Sequence, residues 1–202
     1  MEELSNNKNI SFYSDNATTL FDQYQSLSFD VVHQSWLSSI NLSKYKTALD
    51  IGAGSGRDAL ALHDFGLCVT AIEPAKTLMN KGVELTGDKV TWKSDILPEL
   101  SSIDDNSYDV LLISAVWMHL TKEQQSKSLK RLSTLLNDNG MLVITLRHGE
   151  FNDGRKAFDV NAVRLIEEAK AFNLTLLHTD NDTDQLNRPE VCWETVVFTR
   201  KS

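Results

Sequence analysis

The apolar and polar positions are most tightly ordered over residues 48–74, which read ALDIGAGSGRDALALHDFGLCVTAIEP. A short apolar run, Ala48-Leu49-Asp50-Ile51, carries one acid near its tip, and Gly52, Gly54 and Gly56 follow at alternate positions. Residues 57–65 then take a helical period closed by Gly66, and a second apolar run over 67–72 ends on Glu73. This predicts strand, glycine turn, helix, strand and terminal acid. Glycines let the turn reach positive φ and let a ligand approach bare backbone. The helix N-terminus behind the turn offers unpaired N–H groups to something polar or anionic. An acid ending the second strand is placed to take both hydroxyls of a ribose. The unit calls for a nucleoside-bearing ligand.

The remaining pattern extends this unit on both sides. Residues 1–11 are polar and predicted to fray. Ala17, Leu20, Phe21 and Tyr24 then form one helical stripe, and a second helix starts at Ser28 with Val32, Trp36 and Ile40 aligned. Both precede the first strand, so they are expected to cap the sheet or its C-terminal edge. Beyond Glu73-Pro74 the expected order is a helix over 75–85, a strand over 89–92 and a strand over 108–114. The last of these has the VLLIS core of a strand buried on both faces. Thr121 to Gln124 matches a capping box opening a leucine-striped helix, which Asn139-Gly140 is expected to stop. A fifth strand over 141–146, a helix over 160–172 and strands over 175–178 and 193–199 complete the chain. Strands alternating with helices imply a parallel sheet covered on both faces. The final connection, residues 179–191, has no crossover helix and suits a reversed last strand. The expectation is an α/β fold: a Rossmann-like, doubly wound, seven-stranded and mostly parallel sheet with its last strand reversed. One domain is expected, with an N-terminal helical cap over 1–45 and a cofactor-binding core over 46–202.

Composition narrows the chemistry. The 202 residues carry a formal charge of −8, which argues against a surface built for nucleic-acid phosphates. Cys68 and Cys192 have no zinc or disulfide spacing, and Cys68, inside a predicted strand, is expected to be a buried thiol. The polar start MEELSNNKN lacks the regions of a signal peptide, and no apolar run approaches membrane-spanning length, so a cytoplasmic location is expected. Nothing looks like a metal site, and nothing speaks to oligomeric state.

These motifs together resemble the class I S-adenosylmethionine-dependent methyltransferases. The residues that carry the resemblance are LDIGAGSGR at 49–57, Glu73, Ser94-Asp95-Ile96, and YDVLLISAVWMHL at 108–120, within a match running from about 48 to 200. The resemblance implies S-adenosyl-L-methionine as cofactor. Gly52, Ala53, Gly54 and Gly56 would form the loop under its methionine half, with Asp50 and Arg57 near the amino and carboxylate ends. Glu73, beside Pro74, resembles the ribose acid, Asp95 the residue receiving the adenine amino group, and Ile96 the backbone donor beside it. Ser114 to Trp117 would meet cofactor and acceptor, and Tyr13 in the cap is a further candidate to reach the ligand. Asp58 could equally be a first-turn acid facing the helix dipole, Asp95 a turn residue, and Tyr24 a core residue.

Methyl transfer from a sulfonium needs alignment and exclusion of water more than a fixed catalytic group, so a general base is optional. His119 is the candidate base; its alternative is capping or packing beside the Thr121 helix start. Arg147, His148, Arg155 and Arg188 lie in loops after the later strands and imply a small acceptor bearing a carboxylate or phosphate. The competing account pairs those arginines with Glu150, Asp153, Asp182 or Glu190. Ser114-Ala115-Val116-Trp117 lacks the Pro-Pro pair of amino-directed DNA enzymes, and neither cysteine follows proline as in carbon-5 pyrimidine enzymes. Two other classes remain. One is a protein of the same fold that binds the cofactor or a partner without turnover. The other is an NAD(P)-dependent oxidoreductase, whose fingerprint wants a glycine where Arg57 stands.

Overall fold

A computed structural model describes residues 2–201, with side chains from residue 8 onward. The strands are β1 (Thr47–Ile51), β2 (Cys68–Ile72), β3 (Val90–Lys93), β4 (Tyr108–Ile113), β5 (Leu136–His148), β6 (Leu174–Thr183) and β7 (Cys192–Arg200). They form one sheet in the order β3-β2-β1-β4-β5-β7-β6. Neighbours are parallel except where β7 runs antiparallel between β5 and β6. Only residues 184–191 separate β6 from β7, too short a link to recross the sheet, so the last strand must turn back. The expected doubly wound, seven-stranded architecture with a reversed last strand is what forms.

Period-two alternation divides the core between the two faces. Leu49, Ile51, Leu111, Ile113, Leu142 and Ile144 pack with leucines of α7 (Lys122–Leu135) and with Leu165 and Ala169 of α8 (Ala162–Ala169). Their neighbours Ala48, Val110, Leu112, Met141 and Val143 pack on the other face with Ala59 and Leu62 of α5 (Arg57–Asp64), and with Phe29 and Trp36. Along the order of strands the connections leave β1 in opposite directions, toward β2 and toward β4. That switch point opens a crevice at the C-terminal strand ends.

The cap over this crevice is α1 (Glu2–Asp15), α2 (Ala17–Gln25), α3 (Phe29–Val32) and α4 (Gln34–Leu37). Helices α1 and α2 lie against α6 (Lys76–Thr86), and α4 reaches β6 and β7. Several local expectations are corrected here. Residues 2–15 do not fray but form α1, because tertiary anchors replace the missing apolar stripe: Asn9 Nδ2 donates to Lys156 O at 3.0 Å and Asn9 Oδ1 accepts from Lys156 N at 2.9 Å. The helix expected from Ser28 breaks in two at His33 (φ −113°, ψ 16°), whose imidazole is drawn into a buried hydrogen bond. Helix α7 ends at Leu135, before Asn139; Asn139 does adopt φ 61°, at the irregularity of β5 between the Tyr108↔Leu136 and Val110↔Met141 pairs of the ladder. Strand β6 continues to Thr183, which shortens the final loop. Cys68 is exposed at the first position of β2, outside the buried part of the strand.

Candidate active site

The glycine turn at the end of β1 is bound to β2 by backbone and by Glu73. Gly52 N and Ala53 N both donate to Ile72 O, at 2.8 and 2.9 Å. Glu73 Oε2 accepts from Gly54 N at 2.9 Å, and its Oε1 accepts from Ala75 N at 2.8 Å ahead of α6. Burial pushes the Glu73 carboxyl up to about 7, partly opposed by these two hydrogen bonds. Gly52 has φ 73°, and a β-carbon there would meet Val116 Cγ2 of the β4–α7 loop at 2.4 Å, so only glycine lets these two loops approach. Gly56, at φ 81°, is the left-handed residue from which α5 starts.

Asp50 lies under this turn, 1% exposed, with its Oδ2 unpartnered. Burial, reinforced by the nearby Asp58 carboxylate, holds its pKa well above the usual carboxylate range. Asp58 is more than a first-turn acid: its Oδ1 accepts from Arg57 Nε at 2.6 Å, and its Oδ2 lies 3.0 Å from His33 Nε2. Burial works to raise Asp58, yet Arg57 and His33 outweigh it and hold it below the ordinary value. The cap is tied to the turn by Gln25 Nε2, which donates to Ser55 Oγ at 3.0 Å, and by Arg57 Nη1, which donates to Tyr24 O at 3.4 Å. Past β3, Asp95 accepts from Ile96 N at 2.8 Å through Oδ1, and from Ser102 N and Oγ at 2.8 and 2.7 Å through Oδ2. Its carboxylate therefore orders its own turn as well as lining the crevice.

The opposite wall is built by α1, the β4–α7 loop and the segments after β5 and β6. Tyr13 Oη lies 2.8 Å from His119 Nε2, while His119 Nδ1 is 3.0 Å from Lys156 O and 3.1 Å from Asn9 Nδ2. Burial, with Arg155 and Arg147 nearby, depresses the His119 pKa to about 4 against the backbone hydrogen bond that opposes it. Burial raises the Tyr13 hydroxyl despite Arg155, whose Nη1 donates to it at 3.2 Å. His119 stacks on Phe151 with ring centroids 5.5 Å apart, and the guanidiniums of Arg147 and Arg155 each lie 4.0 Å from the Phe151 centroid. Ala115, at φ 59°, is a non-glycine residue in the left-handed region, held there by Thr145 Oγ1 accepting from its N–H at 2.8 Å. Both walls border a cavity of about 250 Å³.

The methyltransferase domain model matches residues 49–144, from within β1 to within β5. A curated relative, an uncharacterized methyltransferase of Alkaliphilus oremlandii (strain OhILAs), is 26% identical over 175 residues, 82% of this chain and 72% of its own length. The matched domain and the seven-stranded fold together support a class I S-adenosylmethionine-dependent methyltransferase. Among solved structures it resembles the 1,6-didemethyltoxoflavin-N1-methyltransferase of Burkholderia thailandensis bound to S-adenosylhomocysteine. The TM-score is 0.72 at 15% identity, over 96% of this chain and 87% of the other. It also resembles the magnesium protoporphyrin IX methyltransferase of Synechocystis PCC 6803 with bound S-adenosylhomocysteine, at a TM-score of 0.69 and 14% identity over 96% and 100% of the two chains. The cofactor of this methyltransferase is S-adenosyl-L-methionine. The donor wall fits that group: an orphaned buried carboxylate oxygen on Asp50 faces a turn with no side chain at Gly52 and Gly54.

The cavity of the methyltransferase gathers most of the sequence candidates. Tyr13, Asp50, Gly52, Ala53, Gly54, Arg57, Glu73, Pro74, Asp95, Ile96, Ser114, His119, Arg147, Arg155 and Arg188 all line it. Three candidates lie outside its lining. Gly56 packs against Trp92, Thr86 and Gly82 behind the turn. Trp117, only 2% exposed, belongs to the α7 face of the core. His148 pairs with Glu194 at 2.7 Å across the β5–β7 ladder. The helix at Thr121 caps itself through Gln124, so His119 is not its cap. Arg155 and Arg188 pair with Asp153 and Asp184, each at 2.6 Å. Of the other wall residues, sequence reasoning favoured a core reading for Tyr24, missed Thr145 and Phe151, and gave no direct site role to Asp182, Asp184 and Trp193. The signal available for the last three was topological: β6 runs parallel to β5 through the reversed β7, so the β6–β7 loop must open at the same edge as the glycine turn.

Proposed function

We propose that this methyltransferase acts on a small molecule bearing an anionic group, and that alignment rather than a committed general base drives the transfer. The observation that supports this is a cavity whose two walls differ in chemistry. One wall carries Glu73, Asp50 and the glycine turn, and the other carries Arg147, Arg155 and Arg188. When bound, S-adenosylmethionine supplies a methyl group already activated on a sulfonium. The chain's part is then to seat the acceptor in line and exclude water, worth up to roughly 7–11 kcal/mol. Cap residues Tyr13 and Tyr24 also line the cavity. A base role for His119 would run through Tyr13, because the Tyr13 hydroxyl occupies Nε2. Among the described residues no helix is long and apolar enough to cross a membrane, and the chain is acidic. On this reading the enzyme works in the cytoplasm as one domain, residues 1–45 serving as cap to the core over 46–202, on free metabolites rather than nucleic acid.

The test is release of S-adenosylhomocysteine over a panel of small carboxylates and phosphates, their neutral isosteres, and protein and nucleic-acid acceptors. Turnover on anionic small molecules is the expected result. Turnover confined to macromolecular acceptors would sink the proposal.

A further inference from the structure

We infer that Arg147 is the residue that seats the acceptor's anionic group, and that this group is a carboxylate or a phosphate monoester. The inference rests on the small-anion reading above and narrows it from a wall of three arginines to one.

The three arginines are not equivalent. Arg155 is forked onto Asp153, its Nε lying 3.0 and 3.1 Å from the two carboxylate oxygens and its Nη2 2.6 Å from Oδ2. Arg188 is forked onto Asp184 through Nε at 3.1 Å and Nη2 at 2.6 Å. Trp193 Nε1 also donates to Asp184 at 3.0 Å. Each of these guanidiniums already faces a carboxylate in the two-pronged geometry it prefers. Arg147 forms no ion pair with any carboxylate of the described residues. Its Nη1 donates to Gly149 O and its Nη2 to Glu150 O at 3.3 Å, and its buried Nε has no partner. With five N–H donors on a guanidinium, most of its capacity is unused.

Arg147 is also largely buried, at 5% exposure, where an uncompensated charge is costly. Burial and the neighbouring Arg188 and Arg155 charges all act against its charged form, while Asp184 acts for it. An anion in the cavity removes that conflict. The other acid on this wall, Asp182, is occupied elsewhere, its Oδ2 accepting from Ser35 Oγ and Thr195 Oγ1, both at 2.9 Å. Stacking of Arg147 on Phe151 at 4.0 Å fixes the guanidinium, as a two-pronged contact requires. Arg147 stands near the C-terminal end of β5, one strand from β4, whose following loop touches Gly52. An acceptor held there by its anionic end extends toward the donor wall.

The test titrates the S-adenosylhomocysteine-loaded enzyme with acetate, methyl phosphate and neutral acetamide at fixed ionic strength, following the melting temperature. A saturable rise with acetate or methyl phosphate, and none with acetamide, is expected; the tighter of the two anions names the group. Arg147→Gln should weaken that anion by about tenfold or more. The same variant should keep S-adenosylhomocysteine affinity within about threefold, a sign that the fold and donor wall survive. Arg147→Lys restores the charge without the fork and should recover part of the anion affinity. If neither anion binds the loaded wild type, or if Arg147→Gln binds it equally well, the assignment is overturned. Small-molecule turnover that Arg147→Gln leaves unchanged on every anionic acceptor would remove Arg147 and keep the proposed function. Absence of any small-molecule turnover would remove the proposed function, while the direct titration would still decide the seat.

Discussion

Trp36 donates its indole N–H to His33 Nδ1 at 3.1 Å, and this sets the protonation of a fully buried imidazole. An indole nitrogen can only donate, so Nδ1 must carry the lone pair. The ring is therefore neutral with its proton on Nε2, which donates to Asp58 Oδ2 at 3.0 Å, and Asp58 in turn takes Arg57 Nε at 2.6 Å. The relay runs from α4 of the cap to the first residues of α5, directly behind the glycine turn. Trp36→Phe keeps most of the ring volume but strands Nδ1 in the core. It should destabilise the protein by about 1–3 kcal/mol in urea denaturation with an unchanged slope. A loss below about 0.5 kcal/mol would show the bond to be idle.

Gly52→Ala tests the contact between the two loops. It adds a β-carbon 2.4 Å from Val116 Cγ2 at φ 73°. Both faults act together, and a loss of about 1–3 kcal/mol with at least tenfold weaker S-adenosylhomocysteine binding is expected by calorimetry. Adding Val116→Ala relieves the clash but not the backbone strain, so rescue should be partial. Complete rescue would mean that the positive φ costs nothing.

Glu73 predicts a pH dependence of cofactor affinity. Burial raises its carboxyl to about 7, and on the reading that Glu73 takes the ribose, hydroxyls donating to the carboxylate would favour the ionised form. Binding therefore selects the deprotonated group: affinity is fully present above pH 7 and falls as pH drops through about 7. The dissociation constant measured between pH 5.5 and 8.5 should show this. Glu73→Gln should flatten the profile, and Glu73→Ala should bind the cofactor severely more weakly with the fold intact. An unchanged affinity in Glu73→Ala would place the ribose elsewhere.

Tyr13 and His119 yield a paired prediction. With its pKa depressed to about 4, His119 stays neutral as pH falls through the usual histidine range near 6.5, where the unfolded chain already binds a proton. Nitrogen-15 spectra at pH 5.5 should show a neutral His119 ring, and a charged ring there would contradict the burial argument. Tyr13→Phe removes the hydroxyl shared by His119 Nε2 and Arg155 Nη1. It should cost about 1–3 kcal/mol of stability, with the cap more accessible to hydrogen exchange.

The features legible in the chain were those with a local physical cause. Alternation in 48–51 and 108–114, the glycines at 52, 54 and 56, and Glu73 at a strand end each depend on neighbours in sequence, and together they specified the sheet and the donor. The short link before β7 likewise implied its reversal, since chain length bounds what a connection can span. Helix α1 escaped because its stability comes from Asn9 on Lys156, partners far apart in the chain. The break at His33 escaped because a buried hydrogen bond to Asp58 overrides helical propensity. The arginines illustrate the boundary best. Residue order placed Arg147, Arg155 and Arg188 on the cavity wall, but charge pairing depends on distances that no spacing encodes. Folding gave Arg155 and Arg188 their aspartates, turned His148 onto Glu194, and left Arg147 buried without an acid.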